Sequence, residues 1–243
     1  YDEKIVYLPH SYQVNDSTKK ISETSSSRVD LGLPERAFVF CCFNNNYKIA
    51  PRVFDLWMRL LGRVEGSVLW LLEDNQAAAR NLRLAAGPAG VAPERLVFAP
   101  RVKMEDHLAR QRRADLFLDT LPYNAHVTAS DALWAGLPVL TRQGGTFAGR
   151  VAASLLNAVG MPDLVTSTGE DYERLALKLA TDRELLAGIK DRLARNRVTH
   201  PLFDTDRSRR NIEAVYVTMW ERAQRGEPPA NIGCPPCSGL VFP

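Results

Sequence analysis

The sequence predicts an α/β domain: a parallel sheet with helices on both of its faces. Short, continuous apolar runs alternate strictly with amphipathic stretches at helical spacing along most of the 243 residues. Those runs lack the in/out alternation of a strand with one wet face, so each reads as buried on both sides. Strand–helix alternation of this kind builds a parallel sheet, and ligands then bind in the loops at the carboxyl ends of the strands.

The elements follow in order. Residues 4–8 read as a short strand that ends at Pro9. Residues 11–30 are polar, with Asn15, Asp16, Ser17 and Thr18 and then a serine-rich stretch before Arg28, and read as a linker. Residues 37–43 form a strongly apolar strand. Pro51 opens a helix over 51–63, where Val53, Leu56, Trp57, Leu60 and Leu61 recur on one face. A second strand over 67–72 leads into a helix over 75–85, and a third over 96–99 into a helix over 104–112. The fourth strand, 116–119, leads into a helix over 124–135, and the fifth, 139–141, into one over 147–159. After residue 165 the pattern is helical, with helices over 170–181, 183–196 and 205–224. No internal repeat is visible.

Composition narrows the function classes. Apolar residues make up 45% and charged residues 24%, as in an ordinary globular domain. A net charge of +3 is too small to imply nucleic acid. No apolar run approaches the roughly 20 residues of a membrane span. The opening Tyr1-Asp-Glu-Lys is neither a signal peptide nor an initiator methionine, so the chain reads as a piece of a longer protein. Cys41 and Cys42 fall in an apolar strand and read as small buried hydrophobes. Cys234 and Cys237 form a C-x-x-C in an irregular Pro/Gly-rich tail, with no further zinc ligands nearby. Reduced thiols without an export signal point to the cytoplasm, and neither nucleic acid nor membrane is expected as a partner.

The most informative stretch is 124–136, Asn-Ala-His-Val-Thr-Ala-Ser-Asp-Ala-Leu-Trp-Ala-Gly, directly after the fourth strand. Backbone N–H groups at a helix start carry partial positive charge and bind phosphate. His126 and Thr128 accompany that start, and Asp131 lies one turn on, where a carboxylate can accept two sugar hydroxyls. That combination suits a nucleotide-sugar. The loop Phe43-Asn-Asn-Asn-Tyr-Lys-Ile-Ala-Pro suits an anion through its amides and Lys48, although asparagines also favour plain turns. His107 and Arg110 share a helix face and, taken alone, read as a surface pair. Gly144-Gly145-Thr146 reads as a turn. The D-x-D at Asp204-Thr205-Asp206 precedes a helix and reads as its cap, with no metal expected. Trp57, Trp70, Trp134 and Trp220 lie on apolar faces and read as core, and neither His10 nor His200 takes a role.

Taken together, Phe43-Asn-Asn-Asn-Tyr-Lys-Ile, Ser67-Val-Leu-Trp-Leu-Leu, Ala114-Asp-Leu-Phe-Leu-Asp-Thr, the run from Tyr123 to Thr141 and Arg150-Val-Ala-Ala-Ser-Leu resemble one family. It is the O-linked N-acetylglucosamine transferases with their bacterial and plant relatives, and the likeness runs in unbroken order from about Tyr7 to Gln224. The resemblance implies a Rossmann-like domain forming the C-terminal, nucleotide-binding lobe of a GT-B glycosyltransferase. The catalytic N-terminal lobe and tetratricopeptide repeats would lie upstream. Residues 1–30 would then be the end of the upstream lobe and a linker, and 31–204 the nucleotide-sugar domain. Residues 205–227 would be a C-terminal helix reaching back to the upstream lobe, and 228–243 an irregular tail.

The resemblance also implies roles. Lys48 would neutralise the donor diphosphate as the catalytic residue of this lobe, with Asn45 beside it. The backbone of Val102 would pair with the uracil edge, and His107 and Arg110 would border the base. His126, Val127 and Thr128 would meet the phosphates, Asp131 would accept the ribose hydroxyls, and Tyr123 would pack near the acetamido group. Met104 and Val127 depart from the residues common in the family. The implied reaction moves N-acetylglucosamine from UDP-GlcNAc to a serine or threonine of a protein, without cofactor or metal. Charge growing on the leaving phosphate would be met by preorganised positive groups. No pair of carboxylates suits hydrolytic chemistry. The rivals are another UDP-sugar GT-B enzyme, such as an epimerase, and a non-catalytic nucleotide-sugar sensor.

Overall fold

The computed structural model describes residues 2–23 and 26–234. After a short strand β1 (Val6–Tyr7), the chain forms β2 (Val39–Cys42), α1 (Pro51–Arg63), β3 (Val68–Leu72) and α2 (Gln76–Ala86). Then come β4 (Leu96–Ala99), α3 (Met104–Gln111), β5 (Leu116–Leu118), α4 (Val127–Ala135), β6 (Val139–Arg142) and α5 (Val151–Ala158). A last short sheet strand, β7 (Val165–Thr166), precedes α6 (Gly169–Thr181), α7 (Arg183–Thr199), α8 (Thr205–Gln224) and a terminal strand β8 (Ile232–Gly233).

The six strands β2 to β7 make one sheet in the order β4-β3-β2-β5-β6-β7, and every pairing is parallel. Renumbered from β2, this is the 3-2-1-4-5-6 order of the Rossmann fold. The strands form here because their residues are buried on both faces. Val39, Phe40, Cys41 and Cys42 are all fully buried, as expected of the two thiols. Burying each such side chain contributes about 1.5–3 kcal/mol relative to leaving it exposed. α1 supplies Trp57, Met58, Leu60 and Leu61 to the same core, and Trp70 and Phe117 fill its centre.

The helix limits follow from caps. Asn75, Thr168, Asp182 and Asp204 accept backbone N–H bonds at the starts of α2, α6, α7 and α8. The D-x-D is therefore a cap: Asp204 Oδ1 accepts from Arg207 N at 2.9 Å, and Asp206 is paired with Arg209 and Arg210. α4 starts at Val127 rather than 124, because residues 120–125 are held in a hydrogen-bonded loop, and its N-cap His126 makes no side-chain cap. α5 starts at Val151 rather than 147 for a similar reason, the chain before it forming a tight glycine-rich turn.

Four expectations are corrected. The helical region after 165 begins with β7, which joins the sheet edge through Thr141 and Val165. The stretch 11–30 is not a free linker. Asn15 is buried and donates to Leu202 O at 3.2 Å, Trp134 Nε1 donates to Lys19 O at 3.0 Å, and Ser22 N donates to Glu105 O at 3.1 Å. These bonds make residues 12–22 a strap over the outside of α4 and the start of α3. The tail is not irregular throughout, since β8 pairs in parallel with β1 through Val6 and Ile232. Cys234 Sγ lies 3.5 Å from Asn211 O, while Cys237 lies outside the described residues. Trp57 and Trp70 are core residues as expected and Trp134 is partly buried, but Trp220 is 64% exposed.

Candidate functional site

The strand order reverses between β2 and β5, so the loops leaving these two strands diverge and open a crevice at their carboxyl ends. Both loops carry the residues singled out from the sequence, and buried polar bonds tie them together. Asn44, 2% exposed, donates through Nδ2 to Thr120 Oγ1 at 2.8 Å and accepts from Thr128 Oγ1 at 2.5 Å. Lys48 sits on a single 3-10 turn, Asn46–Lys48, held by Lys48 N donating to Asn45 O at 3.0 Å. Its ammonium donates to Asn124 O at 2.9 Å and lies 4.0 Å from the centre of the Tyr123 ring. Burial lowers the Lys48 pKa, and the Asp119 carboxylate acts against that shift.

Asp119 organises the second loop, and sequence reading missed it. It closes β5 fully inside the protein and accepts from Ala125 N at 2.6 Å, Thr120 N at 2.8 Å and Thr141 Oγ1 at 2.6 Å. Burial pushes its carboxyl up to about 7, against these donors and the Lys48 charge, which hold it down. The loop turns through a cis Leu121–Pro122 bond, and Asn124, fully buried, donates to Thr120 O at 2.8 Å. The glycine-rich segment is no isolated turn. Gly149 packs so closely that a Cβ there would meet Pro122 O at 2.9 Å, while Gly144 N donates to Gly149 O at 2.6 Å. Asn124 N donates to Ala148 O at 2.9 Å, so the two loops brace each other.

His126, Val127 and Thr128 stand at the start of α4, where the first N–H groups have no side-chain cap. The His126 ring is itself engaged. Nδ1 is 3.3 Å from the Tyr12 hydroxyl, Nε2 is 3.3 Å from Ala148 O, and the ring stacks on Tyr123 at 5.0 Å. Burial lowers its pKa, so the neutral tautomer that donates to Ala148 and accepts from Tyr12 fits. Val127 is 54% exposed and adds a backbone donor without a hydroxyl.

The loop after β4 forms a third wall. Arg101 donates to Asp74 at 2.6 Å and to Asn45 Oδ1 at 3.4 Å, bringing Asn45 toward the exposed Val102. His107 and Arg110 are not a surface pair. Arg110 is 6% exposed, donates to Pro100 O at 2.6 Å and lies against the Phe43 and Trp70 rings. It donates to His107 Nδ1 from Nη2 at 2.7 Å. Burial, then the Arg110 and Arg101 charges, lower the His107 pKa to about 4, which leaves the ring neutral.

Asp131 is the residue whose setting differs most from expectation. Its side chain is 4% exposed, and Lys19 of the strap donates to Oδ1 at 2.6 Å. The carboxylate is therefore covered and charge-paired rather than open. A largely apolar cavity of about 550 Å³ adjoins the loop on its other side, between Leu56, Trp57, Leu121, Pro122 and Tyr172. None of the residues expected in the site lines it. Among the described residues no cluster of three His, Cys, Asp or Glu side chains could hold a metal ion. No described helix is long and apolar enough to cross a membrane.

A doubly wound sheet with a cation and an uncapped helix start at its switch point defines the class: an α/β lobe with positive charge gathered at the carboxyl ends of its strands. The model of glycosyl transferase family 41 matches residues 10–212, and the chain belongs to that family. A probable UDP-N-acetylglucosamine–peptide N-acetylglucosaminyltransferase of Arabidopsis thaliana, SEC, is 38% identical over 235 residues, covering 94% of this chain and 24% of the plant protein. The UDP-N-acetylglucosamine–peptide N-acetylglucosaminyltransferase of Caenorhabditis elegans is 37% identical over 84% of this chain and 18% of its own length. A mutant O-GlcNAc transferase of Thermobaculum terrenum superposes with a TM-score of 0.78 at 30% identity, over 90% of this chain and 41% of that one. The chain thus spans about a quarter or less of the two curated relatives.

Proposed function

We propose that this chain is the UDP-N-acetylglucosamine-binding lobe of a protein O-GlcNAc transferase, a GT-B enzyme. It would transfer the sugar to serine or threonine hydroxyls of proteins in the cytoplasm. One observation carries the reading: Lys48 and the uncapped start of α4 converge on the crevice between β2 and β5, with Asp131 one turn further along the same helix. The family membership and the relatives' names support the donor and acceptor.

In the proposed step the acceptor hydroxyl oxygen forms a bond to the anomeric carbon. The bond from that carbon to the diphosphate oxygen breaks, and UDP departs with the electron pair. The hydroxyl proton passes to a base on the upstream lobe. What this chain contributes is electrostatic: Lys48 and the backbone N–H groups of residues 127–128 face the growing negative charge, already oriented. His126 contributes through its backbone and by fixing Tyr123, because its ring nitrogens are already engaged. His107 and Arg110 would wall the base, Val102 would offer its backbone to the uracil edge, and Asn45 would stand beside the phosphates. Tyr123 would lie near the acetamido group. No metal is needed, since the positive charge is supplied by the protein.

α8 leaves Tyr216, Met219 and Trp220 exposed on one face, while Val215 is buried, and the proposed cover for that face is the upstream lobe. Catalysis then needs both lobes. The test is UDP release with a serine-rich acceptor peptide, measured for this chain alone and with the upstream half supplied in trans. The account expects transfer only with both. Robust transfer by this chain alone would refute the two-lobe reading, and a hydrolysed or epimerised sugar with no modified peptide would refute the transferase.

A further inference from the structure

The strap's Lys19 has no part in the roles derived so far, yet it makes the described contact to the carboxylate assigned to the ribose. We infer that Lys19 is a positioning residue of the nucleoside subsite, pairing with Asp131 to recognise a vicinal diol. The inference rests on the proposed UDP-binding role of this lobe.

Asp131 lies in the middle of α4 among buried Ala129, Ser130, Ala132 and Leu133. A carboxylate there needs a counter-charge, because leaving one buried charge unpaired is strongly destabilising. Lys19 supplies it at 2.6 Å, and its own side chain is 25% exposed. The lysine does not arrive by chance of a long, free side chain. Trp134 Nε1 holds the Lys19 carbonyl, Asn15 bonds both Ser130 Oγ and Leu202 O, and Ser22 N bonds Glu105 O. The strap backbone is thus fixed on both sides of residue 19, and the ammonium is set before any ligand arrives.

An ammonium carries three donors and a carboxylate about four acceptor positions. Asp131 occupies one of the Lys19 donors and Lys19 one of the Asp131 positions, which leaves both signs of hydrogen-bonding capacity in one place. A hydroxyl both donates and accepts. Two adjacent hydroxyls can therefore donate to Asp131 while one accepts from Lys19, a pattern that a 2′-deoxyribose cannot complete. Lys19 also fixes which carboxylate oxygen faces the diol, and so acts through Asp131.

The experiment compares UDP and 2′-deoxy-UDP affinities by calorimetry for the wild type, Lys19→Met and Lys19→Arg, with thermal melts alongside. Wild type should prefer UDP by on the order of tenfold, the scale of one buried hydrogen bond. Lys19→Met should bring the ratio of the two affinities close to one and weaken UDP itself, and Lys19→Arg should restore most of the preference. If Lys19→Met melts below the assay temperature, Lys19→Gln, a shorter and neutral donor, should lower the preference part of the way toward one. A purely structural strap would weaken both ligands in parallel and leave the ratio at its wild-type value, and that result overturns the inference while the UDP-binding reading stands. Tighter UDP binding by Lys19→Met also overturns it, by making Lys19 a competitor of the ribose. A wild type that binds neither ligand, or binds both equally, removes the ribose reading of Asp131 and this inference with it.

Discussion

Replacing Asp119 by asparagine should change the pH dependence of stability in a direction that the buried site dictates. The carboxyl of Asp119, a residue only 3% exposed, accepts from Ala125 N, Thr120 N and Thr141 Oγ1, and burial raises its pKa from 3.8 to about 7. A carboxyl with a folded-state pKa above its unfolded value binds more protons folded than unfolded between the two values. Its contribution to stability is fully present below about pH 4 and is lost as pH rises through about 7. That interval, at about 1.36 kcal/mol per pH unit, bounds the loss at about 4 kcal/mol by pH 8. That bound already includes the three donors and the Lys48 charge, which hold the carboxyl down to about 7. Asparagine has no such titration. Asp119→Asn should cost about 1 kcal/mol at pH 5, where an amide replaces a neutral acid in a hydrogen-bonded site, and should gain on wild type as pH rises to 8. Asp119→Ala instead orphans two buried N–H groups and a hydroxyl, so it should cost several times about 1 kcal/mol and abolish UDP binding by releasing the loop. Urea unfolding at pH 5, 6, 7 and 8 reads all three proteins. A wild-type advantage over Asp119→Asn that stays constant with pH, or grows as pH rises, refutes the reasoning.

Other perturbations test separate parts of the account. Lys48→Ala, in a protein carrying the upstream lobe, should raise the transfer barrier by about 2 kcal/mol or more, roughly a 30-fold drop in kcat, with a smaller effect on UDP affinity. A near-wild-type kcat removes Lys48 from the chemistry. His107, lowered to about 4 from 6.5, should cost stability as pH falls from about 6.5 toward 4, because the unfolded ring takes the proton first. His107→Gln should remove up to about 3 kcal/mol of that acid sensitivity in urea unfolding, and an unchanged acid limb would show the ring is not held neutral. Trp220→Ser should reduce self-association of this chain in sedimentation, given the 64% exposure of Tyr216 and Trp220. Unchanged association would place the contact elsewhere.

The sheet was legible because its strands are apolar on both faces and its helices repeat every turn. β7 was not, since two residues, Val165 and Thr166, cannot display a period. The crevice was legible in Lys48 and the residues from Tyr123 to Asp131, which follow a strand and open a helix. The polar groups that shape it were not. Asn44 read as an anion-binding or turn amide, Asp119 as a strand end and Asn124 as a helix start, and only the fold shows the hydrogen bonds that tie their loops together. The strap misled for a related reason. Its composition is that of a linker, and its order comes from bonds such as Lys19 to Asp131 and Trp134 to Lys19, which span more than a hundred residues. His107 and Arg110 were read as surface from helical spacing, which does not reveal that the Phe43 and Trp70 rings cover the guanidinium. Trp220 erred the other way, because periodicity marks an apolar face without showing whether anything packs against it.

The central claim is that Lys48 and the start of α4 form a diphosphate site that needs no metal. Calorimetric titration of UDP into the wild-type chain and into Lys48→Ala, in EDTA and again in magnesium, tests it most directly. The account predicts binding to the wild type that is the same in both buffers and weaker in the variant. Binding that appears only with magnesium, or that Lys48→Ala leaves untouched, would contradict it.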